Sequence, residues 1–131
     1  MRYLCMIYID EGELGAMPRA RLAEVEQQCL THTSELVSAG QLVAAERLAS
    51  VKTATTVRAR NDQLSVTDGP FAETREQLAG FYLIDARDLN EAIRIAGRIP
   101  PGQFGCIEIR PVMDSTAETL PEGAAVTGAR P

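Results

Sequence analysis

The sequence predicts an α+β domain in which two helices cover one face of a mainly antiparallel sheet. Dense apolar segments of strand length open and close the first 112 residues. Between them lie two segments whose apolar residues recur at three- and four-residue spacing, and one pair of alternating segments around a turn. The resulting order is strand, helix, strand, hairpin, strand, helix, strand, which is an α+β plan.

The first strand and the first helix have clear sequence signals. Residues 2–9 (RYLCMIYI) are almost continuously apolar, which is typical of a central strand. Residues 10–15 are acidic, contain glycine and read as a loop. Pro18 then opens a helix that ends near Gly40. The apolar positions of this helix are Leu22, Val25, Cys29 and Leu36.

A strand and a hairpin follow. Residues 41–48 (QLVAAERL) predict a strand, although Ala and Glu also permit a helix. Residues 55–60 and 63–67 alternate apolar with polar side chains around Asn61-Asp62, which is the signature of a two-residue hairpin turn. Residues 80–84 (GFYLI) predict another dense apolar strand.

The second helix and the last strand complete the domain. Asp88 is an N-cap candidate, and Glu91 three residues later resembles a capping box. We expect the helical stripe Leu89, Ala92, Ile93, Ala96 and Ile99 to face a sheet. Pro100-Pro101 stops the helix, and residues 104–112 form the last strand. Residues 113–131 lack periodicity and read as a C-terminal tail outside the 1–112 domain.

The element order is related to the ferredoxin-like split βαβ arrangement. Its strands are apolar on both sides, but its two helices cover only one face of the sheet. The other face needs a second cover, and self-association is the most direct one. The sequence therefore predicts a homodimer.

Composition excludes several classes of partner. Eighteen acidic and thirteen basic residues give a net charge of −5, so nucleic acid is not expected as a direct ligand. No apolar run approaches the ~20 residues that span a bilayer, and the N-terminus lacks the pattern of a secretory signal. We expect no membrane partner and a cytoplasmic location.

The residue inventory narrows the chemistry. The chain has one histidine, His32, and one lysine, Lys52, so a multi-histidine metal centre within one chain is excluded. Its cysteines, Cys5, Cys29 and Cys106, form no C-x-x-C pair, and each reads as a small buried apolar residue. No metal and no cofactor is predicted.

The most distinctive segment is residues 68–80 (DGPFAETREQLAG) before the strand GFYLI. With the helix opening DLNEAI and the terminal PPGQFGCIEIRPV, it resembles the DGPF group of the YCII-related proteins over roughly residues 1–112. This resemblance implies a small bacterial protein with a ferredoxin-like fold that dimerises into an α/β barrel. The biochemical role of that group is largely unassigned.

Two residues are candidates for proton transfer. Asp68 begins an Asp-Gly-Pro turn, so its carboxylate either supports that turn or acts as a base at a cleft. His32 falls on or beside the buried stripe of the first helix, as a packed residue or a proton-transfer group. Some YCII-related enzymes pair a histidine on the first helix with an aspartate, which implies a His32–Asp68 dyad. By its spacing to Gly40, however, the family histidine would fall nearer Cys29.

Four further residues are candidate ligand contacts. Phe71 inserts into the core or a dimer contact, or stacks on an aromatic ligand. Glu73 is the acidic residue of that loop best placed to reach a pocket. Arg58 and Arg110 lie on polar alternations of strands, where each is solvated or holds a ligand carboxylate.

Three functions remain open on this sequence. The first is a YCII-like enzyme of the lyase or proton-transfer sort acting on a small molecule. The second is a dimer that binds a metabolite without catalysis. The third is an accessory protein with a partner in transcription control, because relatives are often encoded beside extracytoplasmic-function sigma factors.

Overall fold

Six strands and three helices form the part of the chain that the computed structural model describes, residues 1–113. In chain order they are β1 (Arg2–Ile9), α1 (Glu11–Gly15), α2 (Arg19–Ser38), β2 (Leu42–Arg47), β3 (Thr55–Arg60), β4 (Gln63–Asp68), β5 (Gln77–Asp85), α3 (Leu89–Gly97) and β6 (Gly105–Pro111). Short 3₁₀ turns cover Val51–Thr53 and Pro100–Phe104.

The main sheet has the strand order β2-β5-β1-β6, and each neighbouring pair is antiparallel. The two long helices, α2 and α3, each follow a strand of this sheet and precede its next strand in the chain. This order and connectivity are those of a ferredoxin-like fold. The predicted α+β class and mainly antiparallel sheet are confirmed.

The core lies between one face of the sheet and the two long helices. Alternate residues of β1 and β5 point to this side because side chains alternate along a strand. The buried residues that they share with the helices are Tyr3, Cys5, Ile7, Ile9, Tyr82, Ile84, Leu36, Ala92, Ile95, Ala96 and Ile99. The pattern explains why β1 is apolar at the odd positions.

The opposite side of the same sheet, which we call the open face, is also apolar. Leu4, Met6 and Tyr8 of β1 and Phe81 and Leu83 of β5 point to it and are half-buried. Charged residues flank them on the outer strands, since Glu46 lies opposite Phe81, Glu108 opposite Met6 and Arg110 opposite Leu4. Within residues 1–113, no helix covers this face.

The hairpin forms a separate two-stranded sheet, β3–β4. Asn61 and Asp62 have φ angles of 52° and 63°, so both adopt the left-handed conformation that a type I′ turn requires. The predicted hairpin and turn are confirmed. Of the residues in its two strands, all but Thr56 are exposed.

Two expectations for the helices are wrong. Residues 10–15 contain a short helix, α1, because the Asp10 carboxylate accepts hydrogen bonds from the backbone N–H groups of Gly12 and Glu13 and caps it. In α3, Leu89 and Ile93 are about half exposed. Ile95 is buried instead of Ile93, because it lies three residues after Ala92 and four before Ile99 and so shares their side of the helix.

The cysteine expectation holds in part. Cys5 is fully buried in the core, but Cys29 is half-buried and Cys106 is exposed. Cys106 lies opposite Tyr8 and therefore faces the open side of the sheet, where no helix covers it. Its exposure follows from the one-sided cover of the sheet.

The predicted tail, apart from Met113, lies outside the described residues. Among the helices of the described part, none has the length and hydropathy needed to cross a membrane.

A glycine substitution tests the close approach of β6 to β1. A Cβ atom at Gly105 would overlap the Tyr8 carbonyl oxygen, whereas at Gly97 it would meet no atom within 4 Å. We expect Gly105→Ala to lower the free energy of unfolding by about 2 kcal/mol or more, because the β1–β6 ladder must shift. The control Gly97→Ala should raise it by roughly 0.5–1 kcal/mol through helix propensity. Urea denaturation measures both, and equal effects would contradict the described β1–β6 contact.

Candidate functional site

An open groove lies between α2, the C-terminal end of α3 and the 3₁₀ turn that follows it. Its volume is about 710 Å³, and one buried polar residue, His32, contributes to its wall. Polar side chains line the same groove; they are Gln27, Gln28, Thr31, Glu35, Arg98 and Gln103. A concave site with a few polar groups around one titratable residue is the usual form of a small-molecule site.

Helix packing positions His32. The residue lies on the face of α2 that also buries Val25 and Leu36, and it is 5% exposed. Its ring stacks on Tyr82 of β5, with centroids 6.0 Å apart and an interplanar angle of 30°. Its Nε2 atom lies 3.2 Å from the carbonyl oxygen of Ile95 in α3. The imidazole therefore bridges both helices and the sheet.

The Ile95 contact assigns the tautomer of His32. A carbonyl oxygen only accepts hydrogen bonds, so Nε2 carries the proton and Nδ1 holds the free lone pair of the neutral ring. Nδ1 makes no hydrogen bond within residues 1–113, and no side-chain nitrogen of that part is both buried and without a partner. Nδ1 therefore keeps some contact with solvent and can accept a proton.

Burial keeps this histidine neutral. Desolvation is the main cause that lowers the pKa of His32 below its ordinary value of 6.5, and the nearby Arg98 guanidinium lowers it further. The hydrogen bond with Ile95 and the Glu35 carboxylate act in the opposite direction and are outweighed. At neutral pH the ring is consequently an uncharged base.

An ion pair forms the rim of the groove. Arg98 Nη2 and Glu35 Oε1 are 3.2 Å apart, and both side chains are more than half exposed. An exposed pair of this kind adds little stability, so either group is available to a ligand at small cost. At the other end of the groove, the Gln103 amide accepts from Arg21 and donates to the Pro100 carbonyl, which orients it.

The structure does not bring Asp68 to His32. Asp68 ends β4 in the separate hairpin and is exposed, whereas His32 is enclosed by Ile95 and Tyr82. Among residues 1–113, no hydrogen bond or ion pair joins the two. Gly69 beside it has a φ of 106°, which supports the reading of Asp-Gly-Pro as a structural turn.

The other sequence candidates also lie away from the groove. Phe71 is 78% exposed, so its predicted insertion into the core of its own chain is wrong. Glu73 and Arg58 are exposed in the loop after β4 and on β3. Arg110 is exposed on the open face, opposite Leu4. None of these residues lines the groove that contains His32.

Sequence reasoning missed Arg98 and Glu35. Arg98 directly follows α3 and precedes the two prolines, and Glu35 is one helical turn after His32. The three-residue spacing of His32 and Glu35 places them on one side of α2 and was visible in the sequence. The sequence does not show which helix packs opposite this side of α2, because that depends on tertiary structure. Within the described part of the chain, no three His, Cys, Asp or Glu side chains are grouped to hold a metal ion.

Comparison with known proteins agrees with the fold. The YCII-related domain profile matches residues 1–116. The chain belongs to the YCII-related family. It is also 36% identical over 114 residues to an uncharacterised protein of Rhizobium meliloti (strain 1021), a match that covers 86% of this chain and 92% of that relative. The family match spans every element that forms the groove and the open face.

The protonation of His32 is directly measurable in this YCII-related protein. Because the chain has one histidine, a single ring Cε1–H signal reports it in an NMR pH titration. We expect a pKa below 6.5, raised by Arg98→Gln and lowered by Glu35→Gln, since those charges act with opposite sign. Glu26→Gln, on the same helix outside the groove, should leave it unchanged. A value at or above 6.5 would contradict the buried, neutral ring.

The same shift links folding to pH. The unfolded chain binds a proton at His32 more readily than the folded one, so the contribution of His32 to stability is complete above pH 6.5 and is lost as pH falls through the folded pKa. We expect the free energy of unfolding to decrease below pH 6.5 more steeply in the wild type than in His32→Gln. Urea denaturation at a series of pH values measures this difference.

Proposed function

We propose that this YCII-related protein is a small-molecule-handling homodimer of the DGPF subgroup, and that its ligand lies in the groove between α2 and α3. The observation that carries the proposal is His32, a buried and neutral histidine whose Nδ1 keeps some contact with solvent beside a groove of about 710 Å³. The segment Asp68-Gly-Pro-Phe-Ala-Glu-Thr74 supports the subgroup.

The groove fits a small polar molecule. Its wall offers amide groups from Gln27 and Gln28, a hydroxyl from Thr31, and the separable charges of Glu35 and Arg98. These groups supply both donors and acceptors, and the arginine fork suits a carboxylate. Buried apolar carbon from Ala96 and Ile99 lines the same groove, which favours a ligand with a short carbon skeleton.

Proton transfer in this site would use His32 alone. Nδ1 takes a proton from an acidic O–H or C–H group of the ligand, and the ring becomes an imidazolium whose Nε2–H bond with Ile95 is retained. The imidazolium is stabilised by that carbonyl and by Glu35. The product must then accept the proton back or leave while His32 loses it to water. Within one chain, among residues 1–113, Asp68 makes no hydrogen bond or ion pair with His32.

The open face supports the homodimer. It presents Leu4, Met6, Tyr8, Phe81 and Leu83 as one apolar surface that a soluble protein ordinarily covers. A second copy supplies an identical surface across a two-fold axis, which is the commonest form of self-association. Pairing through this face leaves the groove, on the helical side, accessible to a ligand.

The accessory role in transcription control, the cytoplasmic location and a bacterial source stay predictions from the sequence. A protein partner would require a surface beyond the groove, and the open face is better matched by a second copy.

Ligand binding is tested with His32 as the reporter. Native mass spectrometry of the purified full chain detects a retained small molecule, and a set of small hydroxy- and keto-carboxylates is titrated against the His32 ring signal. We expect at least one compound to shift the signal in the wild type, with affinity reduced about tenfold in Arg98→Gln and unchanged in Glu26→Gln, a residue of α2 that does not line the groove. Failure of every compound at millimolar concentration, with nothing retained, would contradict a site in this groove.

The dimer is tested by a charge on the open face. We expect light scattering to report two subunits for the wild type and one for Phe81→Lys, because burying an unpaired ammonium disfavours the contact. Glu46 lies opposite this position and allows the lysine in a folded monomer. The matched control is Ile93→Lys, at a half-exposed residue on α3, which should remain dimeric. A monomeric wild type at high micromolar concentration would overturn the homodimer.

A further inference from the structure

The β3–β4 hairpin has one apolar face that no element of residues 1–113 covers. Cross-strand pairing places Val57 opposite Val66 and Ala59 opposite Leu64, so these four residues share one side. Val57, Leu64 and Val66 are 57–69% exposed. The other side carries only polar and charged residues, namely Thr56, Arg58, Arg60, Gln63, Ser65 and Thr67. This alternation is typical of a sheet with one buried and one wet face.

A two-stranded hairpin alone in water is marginally stable, so this one needs a cover. The segments that join the hairpin to the rest of the chain, by contrast, are held by hydrogen bonds. The Glu11 carboxylate accepts from Ser50 Oγ at 2.8 Å and from the Val51 backbone N–H at 2.9 Å. The Gly69 N–H donates to the Ala54 carbonyl, and Thr56 Oγ1 donates to the Gly69 carbonyl. The hairpin is thus an arm with an ordered base and an uncovered apolar face.

Interface area favours a second copy as the cover. Four strands at about 4.8 Å spacing and seven residues in length give the open face a footprint of about 440 Å², or about 900 Å² for two copies. A specific interface buries about 1,200–2,000 Å² in total. The hairpin face adds roughly 190 Å² from each copy by the same measure, or about 1,300 Å² altogether, which reaches the lower end of that range.

The tail of the same chain is a poorer cover. Residues 114–131 contain only two large aliphatic side chains, Leu120 and Val126, which is fewer than the hairpin face presents. The tail follows β6 at the end of the sheet where Pro111 lies opposite Tyr3. The hairpin is rooted at Glu11, beyond the opposite end of β1.

We infer that the β3–β4 hairpin is an intersubunit arm whose apolar face, formed by Val57, Ala59, Leu64 and Val66, packs on the second copy of the chain. The inference rests on the proposed homodimer. It adds a contact that the open face does not supply. Phe71, three residues after the end of the arm and 78% exposed, is placed to extend the same contact.

Isotope-filtered NMR on a mixed dimer of full-length labelled and unlabelled chains detects the contact directly. We expect intersubunit nuclear Overhauser effects from the methyl groups of Val57, Leu64 and Val66. If these methyl groups show nuclear Overhauser effects only to residues of the same chain, including those of the tail, the intersubunit contact of the hairpin is contradicted while the dimer itself stands. A monomeric wild type would instead overturn the homodimer.

A paired variant measures the contribution of the arm. The double substitution V57T/V66T keeps two β-branched residues in the strands and removes apolar surface. We expect the dimer dissociation constant, measured by sedimentation, to rise about 100-fold, since four methyl groups per dimer are exchanged for hydroxyl groups. The control Q63T/S65T alters the polar face and should change it by less than about threefold. Equal effects in both variants, with the far-UV circular dichroism unchanged, would contradict the arm.

Discussion

The main sheet is apolar on both faces, but the two long helices cover only one of them. The rest of this structure depends on that constraint. Two long helices are enough to bury one face of four strands and no more. Because β1 and β5 are apolar at both alternating sets of positions, each strand has a surface that its own chain leaves half-buried. The fold therefore has a helical side, where the groove with His32 forms, and an open side that no helix of residues 1–113 covers.

The packing of α2 against α3 produces both the groove and the proton acceptor in its wall, His32. Burying the α2 face that carries His32 against α3 places Nε2 at the Ile95 carbonyl and removes water from the ring. The same packing brings Arg98 within Coulombic reach of the imidazole. A neutral base open at one nitrogen thus results from ordinary core formation with one polar residue in an apolar stripe. No catalytic carboxylate is needed to explain its protonation state.

Local patterns predicted the elements, and tertiary contacts decided the site. The Asn61-Asp62 turn and the strand of residues 2–9 are readable because each depends on neighbours in sequence. The place of His32 on the buried stripe was readable for the same reason. Its partner was not: Asp68 was chosen through family resemblance, yet it belongs to a hairpin with its own small sheet. Arg98 acquires its role only when α3 packs beside α2, which no spacing in the sequence reveals.

Strand β5 connects the two sides of the molecule. Tyr82 points to the helical side and stacks on His32, while its neighbours Phe81 and Leu83 point to the open face. Burial raises the pKa of Tyr82 to about 12, so its hydroxyl stays protonated and the ring acts as a fixed platform for the imidazole. The platform under His32 and the apolar open face are therefore built from three consecutive residues of one strand, although no side chain belongs to both surfaces.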